Sequence, residues 1–419
     1  MSTKWAQIIP LIGGLPIGME NVFQSKPLHV FSFNGFQNND QHYINYLREN
    51  NWTGNYYTVD ECTNDIISNT IKFSDNLIKE DIDVVGCVAP CAGLSSFSNS
   101  SNANSPVNDW MYKCSEFILN KVRPKIFWGE NSIYLCTDKG RPVADKLARI
   151  GQNCDYTFLI YATENRMHGN PQKRARTFYF YFRNDIFNKG ISILNKLPII
   201  NKSVEELLLD VKTNKNDKMN IPINEGNPAD HPFYQYLYEA FNAKNHRDLV
   251  LKISPELDNK VNALTIIGYT ILNNKDKLLE ISQWMKDHGY EKAADRILAI
   301  KGKLDSGKNA WMKGPMIARG FIPAFVGDLV ECFIHPFECR YLTYREALSI
   351  MSMPETFNMI GNLKSNRNHI AQNVCTSTSE IMSNEILKML RFENEIILAN
   401  DQYIVQDHRK NDKLEFRKI

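Results

Sequence analysis

The 419-residue chain, 43% apolar and 23% charged, has the balance of an ordinary soluble globular protein with room for two or three domains. Its 49 Lys/Arg against 47 Asp/Glu leave a net charge of +2, so overall charge names no partner and any polyanion must be met by a local patch. Nine cysteines, at 62, 87, 91, 114, 136, 154, 332, 339 and 375, are odd in number and form no CxxC pair, which favours reduced cytosolic thiols over a disulfide framework or zinc site.

In "KWAQIIPLIGGLPIGM" (4–19) a lysine leads an apolar stretch, but Pro10, Gly13, Gly14 and Pro16 break it and no small-x-small cleavage site follows. No secretory leader is expected. No apolar run reaches the length of a membrane span, so the expected location is the cytoplasm. Short apolar runs predict strands over 7–12, 28–33, 83–88, 126–129, 156–162 and 177–182, with helices such as 40–49, 63–79 and 108–122 between them. This alternation predicts an α/β fold with a doubly wound, mainly parallel sheet, in which ligands sit beyond the carboxyl ends of the strands.

The stretch 210–232, "DVKTNKNDKMNIPINEGNPADHP", is polar with Pro and Gly and reads as a linker. From Tyr234 to Leu304 the periodicity is helical. Residues 241–320 hold 14 Lys/Arg and 9 Asp/Glu, a net +5 against −3 for the remainder, which reads as a solvated helical face or as a nucleic-acid-facing domain. A compact α/β pattern returns after Pro315. The expected boundaries are an α/β domain over 1–185, a basic, mainly helical domain over 186–311, a return to the first domain over 312–405, and a charged tail over 406–419.

Three segments carry candidate chemistry. In "DVVGCVAPCAGLSSFS" (83–98), Cys91 stands where an apolar strand gives way to a small, polar loop. A buried cysteine is ordinarily a small hydrophobe, but a strand end ahead of a serine-rich loop is the setting of a reactive thiol. In "IFWGENSIY" (126–134), Glu130 ends an apolar strand, where a carboxyl suits general-acid work and helix capping is the structural alternative. In "HGNPQKRARTFYFYF" (168–182), Arg174 and Arg176 enter a strand two residues apart and project to one side, as surface charges or as a clamp for an oxyanion, carbonyl oxygen or phosphate.

In order, the chain has a glycine turn, Pro-Cys, Glu-Asn, Gln-x-Arg-x-Arg, a variable stretch, and "HPFECRYLTYREALSIMSMPETF" (335–357) with Arg340, Leu342, Thr343, Arg345, Glu346, Pro354 and Phe357. Over about 6–183 and 312–385 it resembles the cytosine-5 DNA methyltransferase family. The resemblance implies a class I methyltransferase-like catalytic domain, with the variable middle as target-recognition domain. It also implies a monomer acting on double-stranded DNA, away from membranes, in a bacterial or phage-infected cell. The implied catalytic residues are Cys91, Glu130, Asn131, Arg174 and Arg176. Cys91 adds to carbon 6 of a cytosine flipped out of the duplex, and Glu130 acts on ring nitrogen 3. Asn131 helps to place Glu130, Arg176 holds the exocyclic oxygen, and Arg174 supports the loop of Cys91. The serine-rich segment becomes a lid. The implied cofactor is S-adenosyl-L-methionine or a modified analogue, bound by Ile9, Leu11, Gly13, Gly14, Asn34, Asp60, Pro90 and Gln372, with no metal.

The donor side departs from the family pattern. Ile9 stands for a phenylalanine, and Leu11 for a glycine that lets the backbone approach the donor's tail. Asn34 fills the slot of the acid that grips ribose, Asp60 is the adenine-side acid, and Ala371-Gln372 replaces Gly-Asn. Ala89-Pro90, rather than two prolines, precedes Cys91. Catalytic residues are kept while donor residues drift. Three readings therefore stay open beside S-adenosylmethionine-dependent cytosine methylation: the same covalent mechanism with another one-carbon donor, a non-catalytic DNA-binding relative, and a tRNA substrate. The basic helical insert favours duplex DNA over tRNA.

Overall fold

The computed structural model describes residues 2–33, 35–59, 80–91, 93–94, 102–211, 214–257, 263–264, 275–308 and 314–419. Its centre is a nine-stranded sheet of β1 (Trp5–Ile8), β2 (His29–Phe33), β3 (Asn55–Val59), β4 (Val84–Val88), β5 (Ile126–Ser132), β6 (Tyr156–Glu164), β7 (Ala175–Arg183), β8 (Gln402–Asp407) and β9 (Lys413–Lys418). The strand order is β9-β8-β6-β7-β5-β4-β1-β2-β3. Five of its eight pairings are parallel; β7 runs against both β5 and β6, and β9 against β8. Every residue of β1, β4 and β5 is buried, the unbroken burial of a sheet covered on both faces.

The covering helices are α1 (Gly14–Phe23), α2 (Gln37–Glu49), α3 (Val107–Phe117) and α4 (Arg141–Asn153). A short helix α5 (Val204–Asp210) follows, started by a capping box in which Ser203 and Glu206 satisfy each other's backbone N–H groups. Four helices, α6 (Pro232–Ala240), α7 (His246–Leu257), α8 (Lys277–Asp287) and α9 (Glu291–Asp305), pack around an apolar core that includes Leu237, Leu249, Ile281 and Ile297 and is completed by Ile317, Ile334 and Tyr341 of the returning chain. The chain then returns through α10 (Tyr344–Ile350), α11 (Leu363–Gln372) and α12 (Thr376–Leu390), and α12 packs along α1.

Several expectations are corrected. The first strand ends at Ile8 instead of reaching 12, because Ile9 and Leu11 take left-handed φ values of 47° and 55° on either side of Pro10. The expected helix over 63–79 lies outside the described residues. Residues 186–197 do not open the helical domain: Phe187, Ile191, Leu194 and Leu197 belong to the sheet's core, and Gly190–Ser192 pairs with Ile396–Leu398. Residues 406–419 are no tail, since they finish β8 and form β9, with Arg417 only 3% exposed. Their charges had masked a strand.

Candidate active site

Strand order reverses between β1 and β4, so the crevice beyond their carboxyl ends is the topological switch point of the sheet. Cys91 lies three residues past β4, just after the half-buried Pro90, and is exposed. Val88, the last residue of β4, pairs with Glu130 on β5. Glu130 in turn faces Phe178 on β7, while Ser132 faces Arg176. Glu130 and Arg176 are therefore diagonal neighbours on one face of an antiparallel pair, within reach of a long side chain. The Arg176 Nε lies 2.6 Å from Oε1 of Glu130, whose residue is 4% exposed. Among the described residues that oxygen has no well-aligned hydrogen bond, so the pair is close but not locked. The antiparallel β7 is what puts the two arginines at the same end of the sheet as Cys91 and Glu130.

Burial, then the Glu130 carboxylate, pushes the Cys91 thiol up, and Arg176 and Arg174 pull it back. Arg174 is buried, and its guanidinium donates to the carbonyls of Phe325 (3.1 Å) and Ala371 (2.7 Å). Burial and neighbouring Arg176 lower it to about 9, which leaves it charged at neutral pH. Its observed contacts thus tie the rail 172–176 to the returning chain, with Cys91 close enough to feel its charge. Asn131 differs from expectation. Consecutive strand residues face opposite ways, and its amide accepts from the Ser132 N–H (2.8 Å) and lies 3.7 Å from the Met111 sulfur, away from the Glu130 carboxyl.

On the donor side, the turn after β1 keeps a glycine-like course without the glycine: Leu11 at φ 55° and Gly13 at φ 109°. A Cβ on Gly14 would lie 1.8 Å from the Val374 carbonyl oxygen, so this position tolerates no side chain. The Leu11 N–H donates to Asp40 (2.9 Å) and the Gly14 N–H to Asn373 (2.9 Å). Asp40 is fully buried and also bonded by Ser32, and burial drives its carboxyl well above the usual range. Gln372 is instead exposed, its amide oxygen accepting from Asn39 (2.7 Å). The structure therefore brings Asn373, not Gln372, to the turn, and the residue pair to read was Gln-Asn, one position on. Asn34 and Asp60 lie outside the described residues, as do 95–101 of the expected lid. Asp40 was missed because an acid in a first helical turn reads as ordinary dipole compensation.

The sequence matches the C-5 cytosine-specific DNA methylase family over residues 5–388. The chain belongs to that family. Among solved structures, a prophage-encoded candidate DNA modification methyltransferase of E. coli superposes with a TM-score of 0.54 at 16% identity, covering 93% of this chain and 100% of that one. The Entamoeba histolytica methyltransferase EhMeth gives 0.53 at 13% identity, covering 94% and 99%. At such identities the likeness speaks for the fold, a class I methyltransferase-like architecture. A direct comparison with curated protein sequences finds no match.

As a DNA methyltransferase of this family, the chain uses its late motif for support. Arg340 grips Glu346 with both terminal nitrogens (2.8 and 2.7 Å), and Glu346 closes a capping box with Thr343 at the start of α10. The buried Arg345 reaches Asp217 (2.6 Å) and the Phe357 carbonyl (2.8 Å), stapling the linker to the returning chain. Among the described residues, no cluster of three or more His, Cys, Asp or Glu is placed to hold a metal ion, and no helix is long and apolar enough to cross a membrane.

Proposed function

We propose that this methyltransferase acts as a monomer on cytosine in double-stranded DNA, extruding the base and activating it through a covalent bond to Cys91. The observation that carries the reading is the Glu130–Arg176 pair, 2.6 Å apart, beside the exposed Cys91. Carbon 5 of cytosine is a weak nucleophile. The Cys91 sulfur bonds to carbon 6 while Glu130 delivers a proton to ring nitrogen 3, and the resulting enamine makes carbon 5 nucleophilic. Arg176 holds the exocyclic oxygen. One proton serves two ends: a Glu130 that carries it is an acid and no longer opposes the Cys91 thiolate, which Arg176 and Arg174 favour. After alkylation carbon 5 gives its proton to water, the S–C6 bond breaks with its electron pair returning to sulfur, the proton on nitrogen 3 goes back to Glu130, and aromaticity returns.

The donor-side residues fit an adenosyl compound with altered contacts. Among the described residues, the buried amide oxygen of Asn39 has no partner and suits a ribose hydroxyl, and a Cβ on nearby Gly35 would meet nothing within 4 Å. Ile9, Leu11 and Gly13 would line its tail with Asn373 beneath. S-adenosyl-L-methionine supplies, when bound, an electrophilic methyl group. We assign residues 232–305, whose core is apart from that of the sheet, to target recognition. Duplex DNA carrying 5-fluorocytosine should trap a covalent adduct with the wild type and none with Cys91→Ser, and mass spectrometry of nucleosides from normal DNA should show 5-methylcytosine. Turnover in the serine variant would refute the mechanism; another cytosine adduct would change the donor alone.

A further inference from the structure

Segment 322–323 runs parallel to 172–173, with Ile322 N–H on the Pro171 carbonyl (2.9 Å) and Phe325 N–H on the Gln172 side chain (3.2 Å). Arg174 donates to the Phe325 carbonyl from the same rail. The turn just before it, Arg319–Gly320–Phe321, therefore leads into the segment that pairs with the rail running on to Arg174 and Arg176. It is also clamped from behind. Gly320, at φ 54°, donates its N–H to Glu205 (2.6 Å) and accepts from the Val204 N–H (2.8 Å) at the start of α5. Among the described residues, a Cβ at Gly320 would meet nothing within 4 Å, so they leave the front of the turn open.

Two cations gather at this turn. Arg319 holds its Nη1 shielded from solvent with no hydrogen-bond partner among the described residues, and the counter-charge acting on it is the Glu205 carboxylate, which already accepts from the Gly320 N–H. Arg166, already paired with Glu164, places its guanidinium 4.8 Å from the centre of the Phe321 ring. The exposed Lys173 stands one step along, in register with Pro323. A phosphate oxygen completes the Arg319 donor set, and charge-assisted bonds of this kind are short and strong.

We infer that the Arg319–Gly320–Phe321 turn grips the DNA backbone next to the extruded cytosine, with Arg319 on a phosphate and Phe321 holding Arg166 ready for another. This rests on the DNA-cytosine reading above, and Arg319 is a positioning residue that touches no reacting atom. The test is duplex binding by the full chain across a salt series. Loss of one phosphate contact lowers the slope of log K against log salt by about 0.9, so Arg319→Ala should bind with that smaller slope and Arg319→Lys should keep the wild-type slope. Affinity at low salt should fall about tenfold for the alanine variant, KM for DNA should rise, and the rate at saturating DNA should change little. An alanine variant that folds and keeps the wild-type slope overturns the inference while leaving cytosine chemistry standing. A wild type that binds no duplex overturns both.

Discussion

Leu11 offers a test in which two opposing effects have known sizes. It is 5% exposed within the core under the donor-side turn, yet its backbone sits at φ 55°. Truncating a buried leucine to alanine costs about 2–5 kcal/mol in lost burial and the cavity left behind. Alanine keeps the Cβ, so it also keeps the left-handed strain, roughly 1–2 kcal/mol. Glycine relieves that strain and gives back about 0.5–1 kcal/mol through the freedom of its unfolded chain. Leu11→Gly should therefore be less stable than wild type but more stable than Leu11→Ala by about 1 kcal/mol, the reverse of the order at an ordinary position. Urea unfolding followed by tryptophan fluorescence measures this directly. A glycine variant at or below the alanine variant would refute the left-handed course of the turn. The same pair, titrated calorimetrically with S-adenosylmethionine, separates a side chain that crowds the donor from one that only fills the core.

Three further outcomes follow from the geometry. Iodoacetamide should label Cys91 at higher pH than a free cysteine; Glu130→Gln should move the labelling curve down and Arg176→Ala up, and opposite shifts would remove those charges from the thiol's surroundings. Ile360 N–H donates to His42 Nδ1 (3.0 Å), so the His42 proton is on Nε2, facing Nδ1 of His369 (3.0 Å), and burial lowers His42 to about 4. Because the unfolded histidine takes its proton first, near pH 6.5, stability should be full above that pH and fall by on the order of 3 kcal/mol toward pH 4. A His42→Gln variant with an unchanged acid slope would contradict this. Asp217→Asn should cost about 2–4 kcal/mol, somewhat under the figure for a fully buried pair, since it strands Arg345. Arg345 holds the Asp217 carboxyl below its usual range, so in the wild type this contribution is present above about pH 4 and lost as pH falls through the lowered value. Matching acid unfolding of the two proteins would exclude it.

The sheet strands that read easily from the sequence were those that are apolar throughout, such as Val84–Val88 and Tyr156–Glu164. β3 and β9 were harder, because an edge strand needs only one covered face and β9 alternates lysine, glutamate and arginine with its few apolar residues. Cys91, Glu130, Arg174 and Arg176 stood out by residue type and by their places at strand ends, and the structure gathers them at one end of the sheet. Asn131 shows the limit of reading adjacent residues as partners: a strand sends neighbours to opposite faces. On the donor side the sequence signal is weak for a physical reason. A turn's course is set by backbone angles and by distant clasps such as Asp40 and Asn373, so side chains can change while the path is kept.

The clasp between Gly14 and Asn373 spans 359 positions, and β8 joins the sheet beside β6 from residues 402–407. On a ribosome, elongating at roughly 5–20 residues per second, α1 emerges about 20–70 s before the α12 that covers it. Through that interval α1 lacks its α12 neighbour, and the helical body lacks Ile317, Ile334 and Tyr341, the returning-chain residues that complete its core. A nascent chain can hold Cys91, Glu130 and both arginines and still lack the Asn373 clasp under the turn beside them.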